Sequence, residues 1–135
     1  MALGEKIMEG QGKSTGGRVL PSDGPAPKME ASYQGSAKIL GVEATEMGTW
    51  ISVTRPTGVM FAEGQGVITT KDGEVVTYSG QGIGIPKGDG AVNWRGAIYC
   101  QTASEKLASL NNVAIVYEWD SDANGNYQAN GWEWK

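Results

Sequence analysis

The chain has 135 residues, the length of one domain, enough to bury a sizeable core without disulfides or metals. Eleven Lys and Arg against 15 Asp and Glu give a net charge of −4, the wrong sign for a nucleic-acid footprint, and no basic run appears. No window approaches the ~20 apolar residues of a membrane helix, and the opening Met1-Ala2-Leu3-Gly4-Glu5-Lys6 lacks a signal peptide's apolar core; no membrane contact and a cytoplasmic setting are expected.

Twenty-one glycines, five prolines and well-spread Val, Ile, Thr, Tyr and Trp favour many short strands over helices. A bent first strand is expected over residues 5–20, ending at the loop Pro21-Ser22-Asp23-Gly24-Pro25-Ala26-Pro27. Lys28 to Leu40 alternates as a second strand, and Gly41 to Val53 as a third, closed by the turn Arg55-Pro56-Thr57-Gly58. The fourth strand runs from Val59 to Thr70. Asp72-Gly73 then marks a hairpin into the fifth, Glu74 to Ile85.

Pro86 to Gly90 turns the chain into a sixth strand, Ala91 to Thr102, which sorts Val92, Trp94, Ile98 and Cys100 onto one face and Asn93, Arg95, Tyr99 and Gln101 onto the other. Ser104 to Leu110 reads as one short connecting helix, with Ser104 as N-cap. Val113 to Trp119 is the seventh strand, Asp120 to Asn126 a turn, and Tyr127 to Lys135 the eighth. The expected fold is all-β, a single domain over residues 1–135: an eight-stranded antiparallel up-and-down barrel, closed by pairing the last strand with the first.

Gly-Gln-Gly occurs three times, at Gly10-Gln11-Gly12, Gly64-Gln65-Gly66 and Gly80-Gln81-Gly82. In each copy the glycines fall on one side of the strand and the glutamine on the other, a repeated bend in β-structure and not a phosphate loop. Gly12-Lys13-Ser14 lacks the earlier glycine of a phosphate loop, since Ile7 stands there, and Gly80 to Gly84 lacks dinucleotide-binding spacing. Asp120 to Asn126 matches the first half of a calcium loop, but Gly131 occupies the position of its bidentate Glu, so an Asn-Gly turn is the better reading. Without histidine, and with Cys100 alone, the chain has no zinc ligand set and no histidine-assisted nucleophile; no metal and no cofactor are expected. Cys100, in an apolar run, reads as a buried reduced thiol.

The glutamine face carries Glu63, Gln65, Gln81, Arg95, Tyr99 and Gln101 beside Phe61, Val67, Ile83 and Ile85, while the opposite face holds Val76, Tyr78, Val92 and Trp94. Two partly apolar faces imply that one lines the lumen and the other meets a neighbouring subunit, in a homo-oligomer, dimer or trimer. With the glutamine face turned inward, Arg95 needs a carboxylate, most plausibly Glu63. Arg95 then stabilises an oxyanion, Glu63 or Tyr99 handles a proton, and Phe61, Gln65, Gln81 and Gln101 contact a small apolar or oxygenated organic ligand. With that face outside, Arg95 is solvated or at a subunit contact.

The segment Gly58-Val59-Met60-Phe61-Ala62-Glu63-Gly64-Gln65-Gly66 and the eight-strand order resemble the allene oxide cyclase-like barrels, a calycin-type superfamily that includes dirigent proteins. Met47-Gly48-Thr49, Gly80 to Gly84, Arg95-Gly96, Leu110-Asn111-Asn112 and Trp132-Glu133-Trp134-Lys135 are similar to short prokaryotic proteins without a settled activity. The resemblance implies an eight-stranded barrel, dimers or trimers, and an interior that in some relatives folds a reactive substrate for cyclisation. The catalytic Glu and Asn of the plant cyclases have no counterpart here. A small-molecule-binding barrel is therefore expected, as a cofactor-free cyclase or isomerase or as a non-catalytic carrier or structural barrel with a side-chain-filled lumen.

Overall fold

A computed structural model describes residues 3–135. Eight strands follow one another as β1 (Leu3–Leu20), β2 (Lys28–Ile39), β3 (Val42–Thr54), β4 (Met60–Thr70), β5 (Val75–Gly88), β6 (Ala91–Thr102), β7 (Ala114–Ser121) and β8 (Asn126–Trp134). Each pairs antiparallel with its neighbour in sequence, and β8 pairs back onto β1 through Gly12↔Tyr127, Gly10↔Ala129 and Met8↔Gly131. The barrel is closed, which removes the edge that strand-like residues up to Trp134 would otherwise expose.

Turn chemistry explains the short connections. Leu40 and Gly41 take φ of 47° and 81°, and Asp89 and Gly90 take 53° and 82°, so both pairs make left-handed two-residue hairpins that match strand twist. The expected turn at Pro86–Gly90 thus narrows to Asp89-Gly90, and β5 continues past Ile85. Pro86 is tolerated there because β4 pairs with β5 only as far as Gly84, and the ladder to β6 slips between Pro86 and Gly88. Asp120 and Ser121 likewise belong to β7, paired with Asn93 and Val92.

The expected helix at Ser104–Leu110 does not form. A 3-10 segment, Ala108–Asn112, takes its place in the β6–β7 connection, and the Ser104 hydroxyl accepts from the Leu107 amide at 3.3 Å without starting an α-helix. Two residues explain the tighter path: Leu107 and Leu110 are 0% and 1% exposed, driven into one end of the barrel. Asn111 locks the connection by accepting from the Thr102 amide at 2.8 Å and donating to its carbonyl at 3.0 Å.

That end is plugged. Ile39, Ile68, Val76, Ile98 and Ile115 pack beneath Leu107 and Leu110, and burial of each such side chain is worth about 1.5–3 kcal/mol. Cys100 is buried in the same cluster, where burial lifts its thiol to about 11 and keeps it unreactive. At the opposite end lie the loops 21–27, 55–59 and 122–125, and there the lumen is open. Among the described residues no helix is long and apolar enough to cross a membrane.

Candidate functional site

Register decides which side chains enter the lumen. Paired inward positions run Tyr33↔Gly48↔Gly66↔Tyr78 across β2 to β5, and Trp50↔Gly64↔Gly80↔Ile98 across β3 to β6. The glycines of all three Gly-Gln-Gly units therefore face inward and their glutamines outward. A Cβ at Gly66 would run into the Tyr78 ring, one at Gly64 into Trp50, and one at Gly82 into the Tyr117 hydroxyl. The repeated glycines are the recesses into which the lumen aromatics fit.

This parity removes the enclosed site expected from the glutamine face. Glu63, Gln65, Gln81, Arg95, Tyr99 and Gln101 are all exposed on the outer surface. Phe61 is half-buried there, with the Arg55 guanidinium 5.1 Å from its ring centre. Arg95 does not pair with Glu63. It lies against Asp120 at 2.8 Å, with both side chains about half exposed at 47% and 52%, a surface pair worth little in water. Gln65 donates to the Thr49 carbonyl at 2.8 Å. Alternation with a period of two fits either orientation, and the polar residues took the outside.

Inside, the open half of the barrel holds a cup of about 250 Å³. Its walls are Tyr33, Trp50, Trp94, Tyr117, Trp119 and Tyr127, with Ser14, Ser52 and Ser121 adding hydroxyls and Asp122 at the rim. Trp119 stacks on Tyr127 with ring centres 3.9 Å apart and meets Tyr33 edge-on at 4.5 Å, so these three rings hold one another. Asp122 is committed to its own loop: its carboxylate accepts from the Asn124 and Asn126 amides at 2.8 and 3.0 Å. This is the Asn-Gly turn, with the acid occupied as its cap. Among the described residues no group of three or more His, Cys, Asp and Glu side chains is placed to hold a metal ion.

Towards the plug, a smaller void of about 50 Å³ shares Tyr33, Trp50, Tyr117 and Trp119 with the cup and is also lined by Glu46. Glu46 sits on β3 opposite Gly35 and Ile68, and its carboxylate lies over Gly10, where a side chain would collide with it. Tyr127 Oη donates to Glu46 Oε2 at 2.7 Å. Burial pushes the Glu46 carboxyl up to about 7, against the opposing effect of that hydrogen bond. Beside it Tyr33 and Tyr78 share a short hydroxyl–hydroxyl bond, and Trp50 Nε1 donates to Tyr33 Oη at 3.3 Å. Tyr117 Oη donates to the Gln81 carbonyl at 3.2 Å. Burial raises the Tyr33 phenol to about 12, and raises Tyr78, Tyr117 and Tyr127 as well. Glu46 is thus a buried carboxyl set among the four lumen phenols Tyr33, Tyr78, Tyr117 and Tyr127.

Sequence reasoning missed Glu46. The available signal was its place on the Ala44, Gly48, Trp50 side of β3, a single acid among small and aromatic residues.

No family model and no curated protein matches the chain. Solved structures do share the fold. A conserved protein of unknown function from Rhodopseudomonas palustris superposes with a TM-score of 0.82 at 15% identity, covering 99% of both chains. A protein with unknown function from Clostridium acetobutylicum gives 0.83 at 15%, covering 98% of this chain and 97% of that one. A β-barrel-like protein from Acinetobacter baumannii gives 0.83 at 11%, covering 99% and 96%. An enzyme from Penicillium herquei gives 0.68 at 17%, covering 96% and 92%. At these identities the likeness is one of fold.

Proposed function

We propose that the barrel binds a small, planar, largely apolar organic molecule in its aromatic cup. The observation that carries this reading is the hollow itself: about 250 Å³ enclosed by six aromatic side chains and open at one end. A dry apolar cavity of about 150 Å³ holds benzene, so this one suits a substituted ring or two fused rings. Aromatic walls favour a flat ligand, and the serine hydroxyls suit one carrying oxygen.

A cofactor-free cyclase or isomerase is the activity that best fits such a cup, because holding a flexible molecule in one reactive shape can supply much of a unimolecular barrier. The resemblance to allene oxide cyclase-like barrels supports it, as does an enzyme from Penicillium herquei having the same fold. A lumen filled by its own side chains, the structural alternative, fits less well with a hollow of this size.

2-Naphthol, planar and bicyclic with one hydroxyl, tests the binding. Saturable quenching of tryptophan fluorescence is expected, and Ser52→Phe, which projects a ring into the cup, should weaken it at least tenfold while leaving the far-ultraviolet spectrum unchanged. Quenching that never saturates, or that Ser52→Phe leaves untouched, would exclude the cup as a binding site.

A further inference from the structure

Besides the side chains they share, the cup and the void beyond it are linked by a hydrogen bond to an acid. Tyr127 lines the cup, Glu46 lines the void, and the phenol donates to the carboxylate at 2.7 Å. A phenol that donates to a carboxylate has an oxygen of enhanced basicity, and once the carboxyl is protonated the bond reverses: the acid donates to the phenol oxygen, and the phenol's own O–H is free to donate into the cup. One pair can therefore take a proton from a molecule in the cup and later return it.

We propose that Tyr127 and Glu46 form a proton relay for an enolisable ketone or its enol, bound in the cup with its carbonyl oxygen towards the serine hydroxyls. This deepens the cup reading and rests on it. In the forward step the C–H bond next to the carbonyl breaks and its proton passes to Tyr127 Oη. The phenol's own proton moves to Glu46 Oε2, and the released electron pair settles on the carbonyl oxygen as an enolate. Where a C=C bond is conjugated with the enolate, returning the proton from the relay at its far carbon shifts the double bond and completes an isomerisation; attack of the enolate carbon on a second carbonyl of the same molecule closes a ring, that carbonyl's π-bond breaks, and the stored proton passes to its oxygen. Neither needs an oxidant, a reductant or a second substrate.

Geometry and charge agree with this role. Glu46 faces Tyr33, Tyr78, Tyr117 and Tyr127 from β2, β5, β7 and β8, with Lys38 and Glu9 at the margin of the void, and burial, partly offset by the Tyr127 bond, accounts for its titration near neutrality. A base that titrates near working pH accepts and returns protons with the least loss in either direction. The relay also explains why an acid is kept in an aromatic lumen at all, since an apolar residue there would avoid the desolvation cost.

The test uses 2-tetralone, a bicyclic enolisable ketone, with the whole protein. Binding is read by tryptophan quenching, and proton removal by loss of the hydrogens next to the carbonyl to deuterated solvent, followed by NMR. Wild-type protein should accelerate exchange along a pH profile that rises to a plateau through about 7. Glu46→Gln, which keeps an acceptor for Tyr127, should bind 2-tetralone within about threefold of wild type, and both it and Tyr127→Phe should lose about 100-fold or more of the exchange rate and the pH step. Binding without exchange, or exchange that Glu46→Gln leaves unchanged, overturns the relay and leaves the cup standing. Failure of 2-tetralone to bind overturns the relay, and failure of 2-naphthol as well overturns the cup.

Discussion

At Glu46 two effects oppose each other: burial disfavours the charge, the Tyr127 hydrogen bond favours it, and burial wins, leaving the carboxyl near 7 against an ordinary value of 4.5. A carboxyl raised on folding favours the folded state while it is protonated. That contribution is complete below about 4.5 and is lost as pH rises through about 7. The loss is on the order of 3–4 kcal/mol, at about 1.4 kcal/mol per pH interval of displacement. Glu9, Glu43 and Asp122 titrate below their usual values, held down by Lys6, Lys71 and Asn126 in turn, so they work in the opposite direction and only in acid. Urea midpoints should therefore fall between pH 5 and 8 in the wild type. In Glu46→Gln the slope should flatten, with stability at pH 8 raised by roughly 1–2 kcal/mol. A wild-type midpoint that stays level across this range would show that Glu46 is ordinarily solvated.

At the scale of the strand, the recurrent Gly-Gln-Gly says that one face is empty and the other polar, and alternation alone does not tell which is the lumen. The empty face is the inner one, because Trp50 and Tyr78 reach into it from neighbouring strands, and Tyr117 from β7 across β6, and need the space. Strand order, closure and the hairpins were legible, since turn residues and period-two patterns act over a few positions. Whether Arg95 and Glu63 point inward stayed open for the complementary reason: the barrel's interior is set by partners on other strands, which no single strand records. The 3-10 segment was hidden in the same way, since the pull on Leu107 and Leu110 comes from the plug and not from their neighbours in sequence. Gly66→Ala should cost about 1–3 kcal/mol by pressing on the Tyr78 ring, measured by urea unfolding. A cost below 0.5 kcal/mol, of the order seen at indifferent surface sites, would mean that the ring moves aside freely.

Over the whole molecule, charge is unevenly spread. Ion pairs mark the outer faces of β1 and β2, as Lys6–Glu9 and Arg18–Glu30, and the plugged end, as Lys71–Glu43 and Lys106–Asp72. Between them the outer side of β3 to β6 exposes Met47, Val67, Val75, Ile85 and Tyr99 among threonines and glutamines, with Glu63 and the Arg95–Asp120 pair on the same side. Such a face suits a second copy of the same chain, and self-association is the expected outcome at micromolar concentration in sedimentation. Val67→Lys should return the protein to a monomer, whereas a wild type that is monomeric at the outset would count against this face. The plug carries a different implication. Among the described residues leucine and isoleucine fill one end, so a guest that enters the cup by its open end must back out the way it came. A guest longer than the cup would leave its tail in the solvent, and a fluorophore or an immobilising arm attached to that tail should be accepted without loss of affinity.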